Sequence, residues 1–546
     1  MKKHLSVLLI LALCLAVLSG CGGSSGSGSD SSSSASAPAQ TSESAGNTEA
    51  APAGSSVLKI ALDGQPEHLD VAMSTMDIAS EVVYGSVFEK LVAFDGQNRV
   101  IPELAESWEV TEENTVYTYH LRQGVKFHNG AEMKAADAAA SMNRWIDAAA
   151  NAQTLTGEAR FAVVDDYTVE IRLDPGTLYL NEMIAGLGQQ AVIMPASVIQ
   201  AVGAGELVKE YIGTGPYVFD EWRADQYIRL KAYADYQPYG TQGDYGGWGG
   251  YKTAWYDEVD FFFPGDSATV VSGMQTGEYD ISDRLNADDF DTFADSADYT
   301  IFSAEAEMPM LIFNKSQGVS SDPVVRQAVQ AVINCEDLLY AAYGSDDFYK
   351  LYSSYMFEDS AIWYTEAGSD KYNQNDPETA KALFAQAGWK DTDTFRILVR
   401  TDVSDFYTQA QAIHDELRSI GVNCELVAVD ASSYSDIRNN HPESWDAFIT
   451  SFGPKVLPNM NLFLSASWAG WCTDERIQKD LAAIAAGTDL DAARQTWEEL
   501  QRYMYEEYVP VVKFGSTQLS GVSSSAVQGA FIKERLVWID VRPANG

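Results

Sequence analysis

Leu104-Ala-Glu-Ser-Trp-Glu-Val110, then Thr115-Val-Tyr-Thr-Tyr-His-Leu-Arg-Gln-Gly-Val-Lys-Phe-His-Asn-Gly130, is the stretch on which the fold assignment turns. Tyr117 to Leu121 alternates at period two, the pattern of a strand with one buried face. Gly124 and Gly130 end strands at turns. Thr168 to Leu173 alternates in the same way, and Val57 to Leu62 opens the folded part as another strand. Helical spacing marks Ile78 to Leu91, and also Val324 to Leu339, where Val325, Ala328, Val329, Val332 and Ile333 share a face. Asp322-Pro323 supplies the latter helix with a cap and a proline in its first turn. Phe395 to Arg400 reads as a strand, Asp405 to Ile420 as a helix capped by Ser404 and stopped by Gly421, and Val422 to Val429 as the next strand. That is a βαβ unit. The chain is α/β with some antiparallel β-structure and no internal repeat.

The sequence has 546 residues, 78 acidic against 36 basic, for a formal net charge of -42. Such a balance excludes ordinary nucleic-acid binding, which needs clustered Lys and Arg. It also excludes docking on anionic lipid through a basic face. The length predicts two or three domains. With 46% hydrophobic and 11% aromatic residues the chain can bury real cores, so the acidity belongs to a folded surface.

Lys2 and Lys3 precede an apolar run from Leu5 to Leu18, too short to cross a bilayer core of about 30 Å and typical of a signal peptide. Leu18-Ser19-Gly20-Cys21 resembles the bacterial lipobox, in which the cysteine is acylated and becomes the first mature residue. Gly22 to Ser56 holds thirteen Ser, six Gly and seven Ala and no aromatic residue. It is expected to be a flexible tether with a reach of about 30–35 Å. Gly22-Gly-Ser-Ser-Gly26 matches a nucleophile pattern, but no strand precedes it and no helix follows it, so it carries no catalysis. Cys335, Cys424 and Cys472 remain, too few and too widely spaced for a disulfide framework or a zinc pattern. Cys424 reads as a small buried residue of its strand.

Further along come Gly213-Thr-Gly-Pro-Tyr-Val-Phe219, Gly277-Glu-Tyr-Asp-Ile281, Phe313-Asn-Lys315, Asp322-Pro-Val-Val-Arg-Gln-Ala328, Asp376-Pro-Glu-Thr-Ala-Lys381 and Ala387-Gly-Trp389. With the opening stretch, these segments in this order resemble the family 5 extracellular solute-binding proteins, the oligopeptide, dipeptide and nickel binders of ABC importers. The resemblance spans nearly all of residues 57–546. It implies a two-lobed periplasmic-binding-protein-like α/β fold with a hinge cleft. The implied layout is a signal peptide at 1–20, lipidated Cys21 and tether over 21–56, and a first lobe over 57–313 with a subdomain at about 96–210. A second lobe over 314–511 and a return to the first over 512–546 complete it. Closure of the cleft on a ligand would be what the permease recognises.

Ligands of open α/β sheets sit beyond the carboxyl ends of strands, which places Arg400 beside a helix N-terminus in a position suited to an anion. In dipeptide binders of this family an arginine at the matching position holds the peptide carboxylate. The acid that holds the peptide ammonium is missing here: Phe452-Gly453-Pro454-Lys455 puts Pro454 where it would stand. Asp402, Asp405 and, in the loop after the first strand, Asp77 are the candidate substitutes. Gly453 and Pro454 are expected to line the cleft, and Trp468 and Trp471 to offer flat faces to a ligand. The Tyr/Gly-rich segment from Tyr236 to Tyr256 is expected to pack on the surface.

The expected function is capture of an extracellular peptide or peptide-like solute by an ABC-importer lipoprotein. No catalytic residue, cofactor or metal site is expected. The six histidines form no H-E-x-x-H pattern, and no Ser/His/Asp arrangement appears outside the tether. Expected partners are the permease and ATPase subunits and, through Cys21, the membrane at the extracellular face of a cell, Gram-positive by its tether. The chain is expected to be a monomer that binds no nucleic acid. Oligosaccharide binding and peptide sensing on the same fold are the alternatives.

Overall fold

The computed structural model describes residues 56–74, 77–111, 113–241, 246–360 and 362–544. Cys21, the signal segment and all of the tether but Ser56 lie outside them.

Strand Val57–Ala61 lies inside an eight-stranded sheet, parallel to both Glu258–Phe262 and Ile281–Ser282. Tyr227–Ala232 and Tyr217–Arg223 extend the sheet on one side. On the other, Ser516–Ser524 joins Ile281–Ser282 to Tyr299–Glu305. A five-stranded sheet runs in the order Cys424–Val429, Phe395–Arg400, Ala447–Phe452, Met308–Phe313, Val511–Lys513. Both of its faces are covered. Leu398 packs into one core with Phe448 and Ile312, while Ile397 and Val399 enter the opposite core. A strand buried on two sides is apolar at every position, which explains the unbroken run from Ile397 to Val399.

The opening stretch forms a four-stranded antiparallel sheet, Ala105–Val110, Val116–Leu121, Thr168–Arg172 and Ala162–Asp165. Tyr117, Tyr119 and Leu121 point into its core, closed by helix Ala135–Ala148 through Trp145.

Several boundaries differ from the sequence expectation. Helix Asp77–Val83 stops well before Leu91 because Gly85 adopts φ 76° and the chain turns. The helix expected over Val324 to Leu339 is two helices, Pro323–Val332 and Cys335–Tyr343. Ile333 is extended between them, and the Asn334 side chain accepts from the backbone N–H groups of Glu336 and Asp337 to cap the second. Asp322 caps the first as expected. Ser404 is not a cap: the helix is Ser404–Ser419, and Val403 precedes it without a side-chain bond. The segment from Tyr236 to Tyr256 is no surface loop throughout. Trp248 is 3% exposed and stacks on Tyr84 at 5.2 Å, and Lys252 is buried against Glu103.

Cys335, Cys424 and Cys472 are buried and free. Burial pushes the Cys424 thiol up to about 12 and raises the other two as well. Among the described residues no helix is long and apolar enough to cross a membrane.

Tyr349–Lys350 pairs with Ser516–Ser524 as the eighth strand of the larger sheet, and the chain makes two short crossings between the sheets. It leaves the eight-stranded sheet after Glu305 and enters the five-stranded one at Met308; it leaves the latter after Lys513 and returns at Ser516. The two crossings run side by side. Ala306 N–H donates to the Thr517 carbonyl at 2.9 Å, Thr517 N–H to the Glu307 carbonyl at 2.7 Å, and Phe514 N–H to the Pro309 carbonyl at 3.1 Å.

Candidate functional site

A cavity of about 1010 Å³ opens beside these crossings. Glu307 and Thr517, both at the crossings, line it. Tyr179, Glu182 and Arg284 contribute from the part of the chain before the first crossing, and Trp363 and Asp405 from the part between the crossings. Two contacts between lining residues join the part of the chain before the first crossing to the part between the crossings. Asn98 Nδ2 donates to the Asp359 carbonyl at 2.7 Å, and the rings of Tyr179 and Trp363 lie 5.8 Å apart. The volume suits a small ligand of several residues, at the upper end of the usual range for ligand pockets.

Of the residues named from sequence, Asp405, Gly453 and Pro454 line the cavity. Asp405 sits in the first turn of helix Ser404–Ser419 and accepts from the Ser404 hydroxyl at 3.0 Å. Arg400, Asp402, Trp468 and Trp471 are not among its lining residues. Arg400 ends its strand and grips Asp402 with Nε at 3.1 Å from Oδ1 and Nη2 at 2.5 Å from Oδ2. That hydrogen bond from Arg400 lowers the Asp402 carboxyl below its ordinary value. Trp468 packs on Phe448 and Phe452, each at 5.6 Å, and Trp471 stacks on Trp445 at 5.8 Å. Asp77 begins its helix, and its side chain lies outside the described set. Arg396, near the start of the Arg400 strand, turns to Asp446 at 2.9 Å and belongs to the framework.

Glu182, Tyr179 and Trp363 go unmarked in the sequence. None lies in a recognisable motif, and segments far apart in the chain bring them together. Glu182 Oε2 and the Tyr179 hydroxyl are buried without a hydrogen-bond partner. Burial raises the Glu182 carboxyl to about 7. Behind the wall, Asp283 is raised to about 6 by burial, and buried Glu81 lies 3.8 Å from Arg535. No group of His, Cys, Asp and Glu among the described residues could hold a metal ion.

These carboxyls make a pH prediction with a definite sign. Glu182, Glu416 and Asp540 are each raised by burial to about 7. The folded state therefore keeps protons that the unfolded chain has already lost. Their contribution to stability is fully present below the unfolded carboxylate values and is lost as pH rises through about 7. His128 and Lys513, lowered by burial, oppose this trend. Lys90 and Lys315, lowered by burial to about 7, act in the opposite sense only above that pH. Ligand-free protein is expected to show a falling Tm between pH 5 and pH 7 in a calorimetric series. A Tm that rises across that window would contradict the assignment.

The family model of the bacterial extracellular solute-binding proteins, family 5 Middle, matches residues 99–471. A probable peptide ABC transporter periplasmic-binding protein of Sinorhizobium fredii is 27% identical over 470 residues, covering 81% of this chain and 86% of the relative. The ABC transporter substrate-binding protein CtaP of Listeria monocytogenes superposes with a TM-score of 0.76 at 18% identity, covering 90% of this chain and 99% of that one. A dipeptide-binding protein of Pseudoalteromonas sp. SM9913, in complex with Met-Leu, gives 0.70 at 19% identity, covering 89% and 100%. The matched span takes in more than half the chain, and the two sheets joined by paired crossings around a cavity are the architecture the family implies: this chain belongs to the bacterial extracellular solute-binding proteins of family 5.

Proposed function

We propose that this protein is the substrate-binding component of an ABC importer, closing on a peptide or peptide-like solute and delivering it to the permease. The observation that carries the proposal is the cavity of about 1010 Å³ at the paired crossings, with walls supplied by both sheets' surroundings. The S. fredii relative's name adds the peptide class. The lobes, 57–305 with 516–546 against 308–513, turn about Ala306–Glu307 and Phe514–Gly515, a few residues from the boundaries at 313/314 and 511/512 that the resemblance implies. Only a few backbone torsions need to change there. Asp405, Gly453 and Pro454 touch the ligand. Arg400 joins them on release from Asp402. Acyl chains on Cys21 hold the folded part at the outer face of the membrane.

The test is mass spectrometry of ligand released from natively purified protein, followed by thermal shift with the identified compound. A peptide or peptide conjugate is expected, and at a hundredfold excess over Kd it contributes about 2.7 kcal/mol to the folded state. Release of oligosaccharides alone, with a Tm raised by cello-oligomers and not by peptides, would replace the peptide reading with the sugar one.

A further inference from the structure

We propose that the cavity selects positively charged ligands, with Glu182 and the Tyr179 hydroxyl holding an ammonium or guanidinium group. The inference rests on the solute-capture reading above and names the chemical class of the solute. Three observations support it.

The first is the unmet bonding capacity of two neighbours in the wall. Tyr179 is 2% exposed and its hydroxyl has no partner; Glu182 Oε2 is buried and has none either. A buried carboxylate without a hydrogen bond or counter-charge is costly to keep. No ion pair joins Glu182 to a basic side chain among the described residues. The adjacent tyrosines do not satisfy it: the Tyr117 hydroxyl donates to the Thr177 carbonyl and the Tyr119 hydroxyl to Asn181 Oδ1. A ligand cation would donate to both the carboxylate and the phenol oxygen at once, and a charge-assisted bond is the strongest type available there.

The second is the charge of the wall. Six carboxylates line the cavity against three basic side chains, Arg284, Lys455 and Arg535. The third is that the protein itself engages all three bases. Arg284 Nε lies 3.0 Å from Asp63, Arg535 lies 3.8 Å from buried Glu81, and Lys455 Nζ donates to the carbonyls of Gly453 at 3.2 Å and Pro454 at 3.1 Å. The acid excess therefore faces the cavity. An anionic ligand would meet like charge at Glu182 and at the acids around it.

The experiment offers the full chain an equimolar pool of tripeptides, removes unbound material by rapid gel filtration and identifies captured peptides by mass spectrometry. Peptides with Lys or Arg are expected to be enriched at least about tenfold over those with Asp or Glu, the size of one charge-assisted bond. Glu182→Gln is expected to abolish most of that enrichment while the variant stays folded, since the amide matches the size of the protonated acid, and Glu182→Asp to keep part of it. Capture of neutral or acidic peptides by the wild type, or enrichment unchanged in the Gln variant, overturns this inference and leaves solute capture standing. Capture of no peptide removes the peptide reading instead. The inference is then decided by spermidine alone: a Tm rise in the wild type that is lost in Glu182→Gln supports it, and no rise overturns it.

Discussion

Replacing Gly213 by alanine is expected to leave little stably folded protein. A Cβ at Gly213 would stand 1.9 Å from the Val87 carbonyl oxygen and 2.8 Å from both the Val87 carbonyl carbon and Phe88 Cδ1. Two residues on, a Cβ at Gly215 would meet the Ser86 carbonyl oxygen at 2.1 Å. The obstacles are mainly backbone, so no rotamer change relieves them. The backbone cannot retreat cheaply either. Gly215 N–H donates to the Val87 carbonyl at 3.1 Å, Tyr217 N–H to the Ser86 carbonyl at 2.9 Å, and His128 N–H to the Gly213 carbonyl at 3.0 Å. Thr214 meanwhile donates to buried Glu89 at 2.8 Å. Separating the segments would break these bonds and open the core beneath, at a cost of about 4 kcal/mol or more. Gly124→Ala is the control. Gly124 has φ 76° and no atom within 4 Å of a Cβ, so alanine there costs only the left-handed backbone term of about 1–2 kcal/mol. Soluble yield and urea midpoints compare the two. A Gly213→Ala protein as stable as the Gly124→Ala protein would refute the close-approach argument.

Arg326→Met should lower stability by about 3–5 kcal/mol, as expected when a buried charged clamp is removed. Arg326 is 1% exposed, and its hydrogen-bond partners are carbonyls. Nε donates to Val509 at 2.9 Å and Nη2 to Tyr508 at 2.6 Å; Nη1 donates to Ser320 at 2.8 Å and Ser321 at 3.0 Å. Val509 is a β-branched residue at φ 46°, a strained conformation that persists only when its surroundings impose it. The guanidinium holds the carbonyls of Tyr508 and Val509, so it fixes this turn just ahead of strand Val511–Lys513 and the second crossing. Methionine fills the volume and leaves those acceptors without donors. Arg326→Lys should recover only part of the loss, because an ammonium cannot fork to carbonyls on opposite sides. Urea midpoints for the two variants decide the matter; a methionine variant within about 1 kcal/mol of wild type would show that the clamp is dispensable.

Both residues belong to segments that stand out in the sequence, yet their roles are illegible there. Gly213 to Pro216 reads as a bend, because glycine suggests backbone freedom; what the fold uses is the missing Cβ. Arg326 reads as one letter of an ordered motif, because its partners are carbonyls, two of them nearly at the other end of the chain. The strands are legible for a simple reason. An antiparallel sheet wetted on one face writes alternation into Val116–Leu121, and a doubly covered strand writes an apolar run into Phe395–Arg400. The break at Ile333–Asn334 is hidden because Val325, Val329, Leu338 and Leu339 all enter the same core, so the apolar periodicity runs on across it. Asp405, Gly453 and Pro454 can be placed at the cleft through family resemblance. Glu182 cannot, since nothing local distinguishes it from any other helical glutamate. The tryptophans illustrate the same limit: Trp468 and Trp471 lie against other rings, and an aromatic residue carries no sequence mark of whether a ligand or a core will cover it.

The buried thiols have a practical consequence for following closure in solution. Cys335, Cys424 and Cys472 are shielded from reagents, and burial keeps each one protonated at neutral pH. A maleimide dye added to the folded part would pass them by and react with a cysteine introduced at an exposed position. One engineered cysteine on each side of the cleft would therefore accept a donor and acceptor pair with the native cysteines left in place. The opening and shutting of single molecules could then be timed without rebuilding any of the cores.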